Sequence, residues 1–226
     1  MLVLAVDTTA SSGSVALLEN ARILSEVNFD PPATHSRKLL PAIDFILKSS
    51  DRGVQQIDGY AVAVGPGSFT GIRIGLSTIK SLAYASGSPV APVSTLQALA
   101  LKLLHPQTRL LCPVIDAKKS EIYAALFEST GSRLEEIIPQ GAYSPDGFFS
   151  LLPSRRIVYF IGSGIEVYRD KLLRYLKDKA RFAPRSLFLA YEVGLLGSDI
   201  LQRGQGRDAQ ELEPLYFRKS QAEEKN

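Results

Sequence analysis

Residues 60–75 of the chain are YAVAVGPGSFTGIRIG. The five apolar residues 60–64 predict a buried strand, and Gly65 and Gly67 allow backbone conformations that other residues rarely adopt. Ser68 or Thr70 can cap the helix that follows, which we expect to continue to about Ala85. The stretch does not end in Lys-Ser or Lys-Thr, so it is not a P-loop. It predicts a strand, a tight glycine turn and a helix, a common unit of α/β proteins.

The same pattern occurs a second time. Residues 161–164, Ile-Gly-Ser-Gly, again place a Gly-x-Gly turn between a predicted strand and a predicted helix. Earlier in each half, an apolar strand ends at Asp7 or Asp116, and a second strand ends twelve residues later at Glu19 or Glu128. Two similarities in the same order favour a duplicated α/β unit. We therefore predict two domains, residues 1–105 and 106–226, with the boundary near His105.

Composition excludes several classes of protein. The chain has 226 residues, 45% of them hydrophobic and 22% charged, which is typical of globular proteins. Its net charge of +3 is too small to indicate direct nucleic-acid binding. With two histidines and one cysteine, a zinc site is nearly excluded, and Cys112 is expected to be buried. We predict no signal peptide and no membrane span, and a cytoplasmic location.

Two carboxylates at strand ends suggest a nucleotide site. Asp7 and Asp116 could face a nucleotide with its magnesium, an ion that prefers one or two carboxylates together with water and phosphate oxygens. The hydroxyl-rich segment after Asp7, which includes Thr8 and Thr9, could line a phosphate with its backbone N–H groups. The alternative is an ordinary polar hairpin.

The glycine-containing helix has two interpretations. Gly71 and Gly75 lie four residues apart, on one helix face, and allow another backbone to come close. Either this face packs on the protein's own sheet or the helix also serves a partner interface, and the pattern alone does not decide between them. His35 is expected to be a capping or structural residue, because the residue four positions later is Leu39, which cannot bind a metal.

Several motifs together resemble the bacterial TsaB family, also called YeaZ. They cover nearly the whole chain and comprise residues 4–9, His35-Ser36 with residues 39–41, residues 65–75, Asp116-Ala117 with residues 121–123, and residues 214–216 with Arg218. The resemblance implies an α/β, actin/Hsp70-like (ASKHA) fold of two ribonuclease-H-like domains, the second of them reduced. It also implies a role in making threonylcarbamoyladenosine beside the anticodon of tRNAs that read ANN codons.

The resemblance further implies that the protein is a noncatalytic subunit. Members of the family pair with their paralogue TsaD, which transfers the threonylcarbamoyl group, and with the ATPase TsaE, and they also self-associate. Contact with tRNA would then be indirect. The catalytic paralogue binds its metal through His-x-x-x-His, and Thr95 and Leu99 stand at the matching positions here. No metal and no tightly bound cofactor are therefore expected.

Site residues follow from the same resemblance. A nucleotide, ATP or ADP with magnesium, could lie at the partner interface near Asp7, Thr8, Thr9 and Asp116. Arg73 could be a polar anchor of that interface or a solvated residue. The residues expected at the interface are His35, Leu39, Gly67, Ser68, Phe69, Thr70, Gly71, Arg73, Gly75, Leu76 and Ile79.

The rival functions are a stand-alone ATP-dependent phosphotransferase of the same fold and a metallopeptidase.

Overall fold

A computed structural model describes residues 1–30, 35–131 and 133–218. The chain forms two compact units. The first consists of Met1–Ala98 and Phe188–Tyr216, and the second consists of Leu99–Leu187 with Phe217 and Arg218 among the described residues after it. The predicted boundary at 105/106 is therefore wrong in two respects: the division falls a few residues earlier, and residues 188–216 return to the first unit.

The first unit is built on a five-stranded mixed sheet with the order β3-β2-β1-β4-β5. β1, β2 and β3 are antiparallel neighbours, whereas β1, β4 and β5 run parallel. β1 and β4 are buried along their whole length, as expected for strands covered on both faces. The division between Ala98 and Leu99 falls within the helix α3. The elements from the N-terminus to this helix are β1 (Leu2–Asp7), β2 (Gly13–Glu19), β3 (Arg22–Phe29), α1 (His35–Ser49), β4 (Gly59–Gly65), α2 (Phe69–Ser86), β5 (Val90–Ser94) and α3 (Thr95–Lys102).

The second unit repeats this topology. Its sheet has the order β8-β7-β6-β9-β10, the same sequence of hairpin and crossover strands as in the first unit. Gly65 and Gly162, at equivalent strand ends, have φ angles of 118° and 117°. The predicted duplication is thus confirmed. The elements are β6 (Leu110–Lys118), β7 (Glu121–Thr130), β8 (Arg133–Tyr143), α4 (Pro145–Leu151), β9 (Val158–Ile161), α5 (Gly164–Leu176) and β10 (Ala180–Phe182).

The last helix, α6 (Ala190–Gln202), covers the sheet of the first unit and explains the misplaced boundary. It packs on β1, β2, β4 and β5. A Cβ atom on Gly194 would lie 2.3 Å from Leu18 Cδ1, and one on Gly197 would lie 2.3 Å from Ala61 Cβ. These two glycines therefore let the helix lie directly on the strands.

Two further predictions concern burial and the membrane. Cys112 is fully buried in the core of the second unit, as expected. Within residues 1–30, 35–131 and 133–218, every helix is too short or too polar to cross a membrane.

Candidate functional site

Asp7, at the end of β1, is buried and bonded to its own loop. Its side chain is 2% exposed. Its Oδ1 atom accepts hydrogen bonds from Thr9 N (2.9 Å) and Thr9 Oγ1 (2.7 Å). Burial raises the pKa of Asp7 and Glu192 raises it further, while the bonds from Thr9 and the nearby His35 act in the opposite direction. The carboxylate is therefore enclosed in protein.

Thr8 joins the end of β1 to α2. Its hydroxyl donates a hydrogen bond to the carbonyl oxygen of Gly71 (2.7 Å). A Cβ atom on Gly71 would lie 1.9 Å from the Thr8 carbonyl oxygen, and one on Gly75 would lie 2.5 Å from Thr8 Oγ1. Gly71 and Gly75 thus allow α2 to lie against its own sheet, which is the first of the two interpretations of this face.

The loop after β1 is also held by α1 and α6. His35, the first residue of α1, lies with its Nε2 atom 2.8 Å from the carbonyl oxygen of Ala10, so it has the structural role expected of it. Ser14 Oγ accepts hydrogen bonds from Leu189 N (3.2 Å) and Ala190 N (2.9 Å) and caps the N-terminus of α6. This cap could not be predicted from a local sequence pattern, because 175 residues separate Ser14 from Leu189.

Asp116 occupies the equivalent strand position in the second unit. Its Oδ1 atom accepts a hydrogen bond from Lys118 N (3.0 Å), and its Oδ2 atom forms an ion pair with Lys118 Nζ (2.7 Å). This contact raises the pKa of Lys118. The backbone N–H of Asp116 donates to Ser163 Oγ in the second Gly-x-Gly turn (3.3 Å). Lys118 therefore already compensates the charge of Asp116.

A groove of about 430 Å³ runs between α1 and α2 in the first unit. Its lining mixes apolar and small hydroxyl side chains with one cation: Ser36, Leu39, Leu40, Thr70, Arg73, Ile74, Ser77 and Thr78. Leu40 is 55% exposed and supplies apolar surface to the groove. The groove therefore presents apolar area, small hydroxyl side chains and a cation on two adjacent helices.

Part of the predicted interface lies in the core instead. Five of the predicted interface residues are buried in the first unit and offer almost no surface to a partner: Leu39, Gly71, Gly75, Leu76 and Ile79. The interface prediction is therefore corrected for these residues. The helix periodicity that places them inward could have indicated the surface positions, which are their exposed neighbours Ser36, Leu40 and Ser77 and the partly exposed Thr78.

Arg73 is held by the C-terminal segment. Its Nε atom donates a hydrogen bond to the hydroxyl of Tyr216 (3.1 Å), and the Tyr216 ring packs on Phe69 with 4.5 Å between centroids. Leu215 N donates to the Val64 carbonyl oxygen (2.8 Å), which fixes the segment beside the end of β4. Arg73 is thus a positioned side chain at the groove and not simply a solvated one.

The described part of the chain contains no group of three or more histidine, cysteine, aspartate or glutamate residues placed to hold a metal ion. Thr95 and Leu99 are both buried on α3. Neither residue has an imidazole nitrogen, the group with which the catalytic paralogue is expected to bind its metal at these positions.

Comparison with known proteins gives the family. Residues 31–225 match the sequence profile described as "TsaD: tRNA N6-adenosine threonylcarbamoyltransferase". The tRNA threonylcarbamoyladenosine biosynthesis protein TsaB of Bacillus subtilis is 30% identical, covering 100% of this chain and 97% of its own. The solved structure of YeaZ from Pseudomonas aeruginosa has a TM-score of 0.82 at 25% identity, covering 95% of this chain and 99% of its own.

A more distant neighbour bears on the fold alone. The ROK hexokinase of Thermus thermophilus has a TM-score of 0.53 at 14% identity, over 89% of this chain and 100% of its own. The duplicated sheets therefore have the architecture of actin/Hsp70-like proteins. With the full-length sequence match, it follows that the chain belongs to the TsaB (YeaZ) family of tRNA threonylcarbamoyladenosine biosynthesis proteins, within the wider TsaD sequence family.

Proposed function

We propose that this protein is a noncatalytic subunit that binds and activates a TsaD-type threonylcarbamoyltransferase, together with a TsaE-type ATPase. The modified base is the adenosine beside the anticodon of tRNAs that read ANN codons. The observation that supports this proposal most is the groove between α1 and α2, with exposed Leu40 and positioned Arg73. The absence of histidine at positions 95 and 99 supports the noncatalytic role.

The groove has the composition of a helix-docking surface. Leu40 and Ile74 supply apolar area, while Ser77 and Thr78 are small enough to let a partner helix come close. Arginine at such a surface can form paired hydrogen bonds with a partner carboxylate. The partner we propose for this surface is the transferase, and in its absence a second copy of this chain.

A magnesium nucleotide fits the site only with help from the partner. Asp7 is enclosed and its Oδ1 atom already accepts two bonds, while the Thr8 hydroxyl is used by Gly71. These side chains do not fit a self-sufficient magnesium site, and Asp116 is already paired with Lys118. Any ATP or ADP at the interface would therefore depend on the partner for its metal ligands.

Leu40→Arg tests the proposed interface. The substitution places a charge in the groove, and because Leu40 is half exposed it should change the free energy of unfolding by less than about 0.5 kcal/mol. We expect affinity for the transferase, measured by calorimetry, to fall at least about tenfold, the loss typical of a central interface residue.

The matched control is Phe45→Arg on the same helix. Phe45 is 61% exposed and does not line the groove. The Phe45→Arg substitution should change the affinity for the transferase by less than about threefold. A tenfold change would correspond to roughly 1.4 kcal/mol. Equal losses in both variants, or none in Leu40→Arg, would contradict the assignment of this groove.

Calorimetry of the isolated protein with Mg-ATP separates the rival function. Micromolar binding with turnover of a small hydroxylated substrate would favour the phosphotransferase. A stoichiometric metal found by elemental analysis would favour the metallopeptidase.

A further inference from the structure

The second unit carries a concentrated positive charge that the whole-chain total conceals. Met1–Ala98 and Phe188–Tyr216 contain nine basic and twelve acidic residues, a net charge of −3. Leu99–Leu187 contains fourteen basic and nine acidic residues, a net charge of +5. Residues 217–226 add +1, which gives the total of +3. The positive charge is therefore concentrated in the second unit, although the net charge of the whole chain is small.

The topology brings much of this charge to one edge of the second sheet. β6, β9 and β10 are parallel and begin in register, with Leu110 opposite Val158 and Val158 opposite Ala180. α5 connects the end of β9 to the start of β10, so its last turn reaches the same edge. The segments before β6, β9 and β10 and the last turn of α5 carry six basic residues, which we call the basic edge: Arg109, Arg155, Arg156, Arg174, Lys177 and Lys179.

Acidic partners compensate only part of the basic edge. Arg156 pairs with Glu128 at the end of β7, and Lys179 pairs with Asp178 (2.9 Å). Arg155, Arg174 and Lys177 are exposed and take part in none of the ion pairs found in the described chain. With Glu128 and Asp178 counted, these segments have a net charge of +4. The start of β8, which pairs with the end of β7 at the same edge, adds Arg133, Glu135 and Glu136, so the net charge there is +3.

Favourable interaction with a helix dipole accounts for the positions of only some of these basic residues. Arg174 and Lys177 at the end of α5 interact favourably with the helix dipole. Arg109 and Arg155 precede strands, where no such dipole acts. Arginine presents a planar fork of donors that matches phosphate oxygens, and repeated exposed cations along an edge are complementary to a polyanion.

We infer that the basic edge binds the phosphate backbone of RNA. The identification of that RNA as the substrate tRNA rests on the proposed function, whereas the charge argument does not. The edge lies at the starts of β6 and β9, away from Asp116 and Ser163 at their ends, so it is separate from the predicted nucleotide residues. Phosphate contacts position a nucleic acid without selecting its sequence.

The test compares two double variants with the same change in charge. Arg155→Glu/Arg174→Glu changes the basic edge, while Arg22→Glu/Arg185→Glu changes exposed arginines on β3 and after β10. Binding of a labelled, unmodified tRNA transcript to each isolated protein is measured by fluorescence anisotropy from about 50 to 200 mM salt. We expect the first variant to bind at least about tenfold more weakly and its salt dependence to fall by about two ion equivalents.

Two results would overturn the inference: equal weakening in both variants, or no salt-dependent binding by the unaltered protein. In a reconstituted modification reaction, the first variant should raise the KM for tRNA and leave kcat unchanged. Because RNA binding is measured without the transferase, a failure of the protein to activate that enzyme would count against the proposed function and leave this test intact.

Discussion

The buried carboxyl of Asp7 couples stability to pH at the scale of a single residue. Burial raises its pKa above the ordinary value of 3.8, so the folded protein holds this proton more tightly than the unfolded chain does. The contribution of Asp7 to stability is therefore most favourable below the unfolded pKa. It is lost as the pH rises through the folded pKa.

Asp7→Asn should increase the free energy of unfolding at pH 7. The amide oxygen can still accept both bonds from Thr9, and the buried charge is removed. Below about pH 3 the gain should vanish, because the carboxyl is then protonated in both states. Urea unfolding at the two pH values measures the difference. A loss of stability at pH 7 would show that the charge of Asp7 is stabilised by its surroundings.

Gly71→Ala tests the close contact between α2 and the end of β1. Alanine favours helix by about 1 kcal/mol over glycine, but its Cβ would lie 1.9 Å from a backbone oxygen of Thr8. We expect a net loss of about 1–3 kcal/mol, as in other overpacked cores. Ser77→Ala, on the exposed face of α2, should change stability by less than about 0.5 kcal/mol. A stabilised Gly71→Ala protein would refute the contact.

For these two glycines, the sequence predicts a close contact but not the residue that makes it. The spacing of Gly71 and Gly75 predicts a face that another backbone approaches, and that was correct. The spacing does not show whether that neighbouring backbone belongs to the same unit or to a partner, because a local pattern contains no information on residues far away in the chain. Thr8, the actual neighbour, lies 63 residues from Gly71 in the chain.

At the scale of elements, the C-terminal segment positions the groove residue Arg73. Tyr216→Phe keeps the ring contact with Phe69 and removes the hydroxyl that accepts from Arg73 Nε. Since the bond is exposed, we expect stability to change by less than about 0.5 kcal/mol. Affinity for the transferase should fall a few-fold, in line with about 1 kcal/mol for one hydrogen bond.

A double-mutant cycle with Arg73→Ala checks this role. If Tyr216 acts by holding Arg73, Tyr216→Phe should weaken binding much less when Arg73 is already alanine. Fully additive losses would show that Tyr216 acts independently of Arg73.

Most elements could be predicted from periodicity and the exceptions have a physical cause. α1, α2 and the buried strands carry long, regular apolar patterns. β10 has only three residues, too few for an alternation to be recognised. Its existence could have been inferred only from the duplication, since it occupies the position that β5 has in the first sheet.

At the scale of the whole molecule, α6 completes the first unit. The sequence indicates an amphipathic helix near residues 189–200 but not the sheet that it covers, so the domain prediction assigned it to the second half. Its position depends on Gly194 and Gly197 and on the cap from Ser14, contacts that span most of the chain.

The fragment 1–105 should therefore fail to fold cooperatively. It lacks α6 and leaves one face of β1 and β4 exposed to water. Residues 1–98 joined to 188–216 by a flexible Gly/Ser linker should fold, because they restore that cover. Urea unfolding followed by circular dichroism compares the two. A cooperative transition of the fragment 1–105 would show that α6 is dispensable.

Activation of the transferase can be measured directly in a tRNA modification assay. A TsaD-type transferase with a TsaE-type ATPase is supplied with threonylcarbamoyl donor and an ANN-reading tRNA, with and without this protein. We expect the added protein to raise the modification rate at least about tenfold, which corresponds to roughly 1.4 kcal/mol in the barrier. The Leu40→Arg variant should not raise it. A transferase that is equally active without this protein would show that the protein is not an activator.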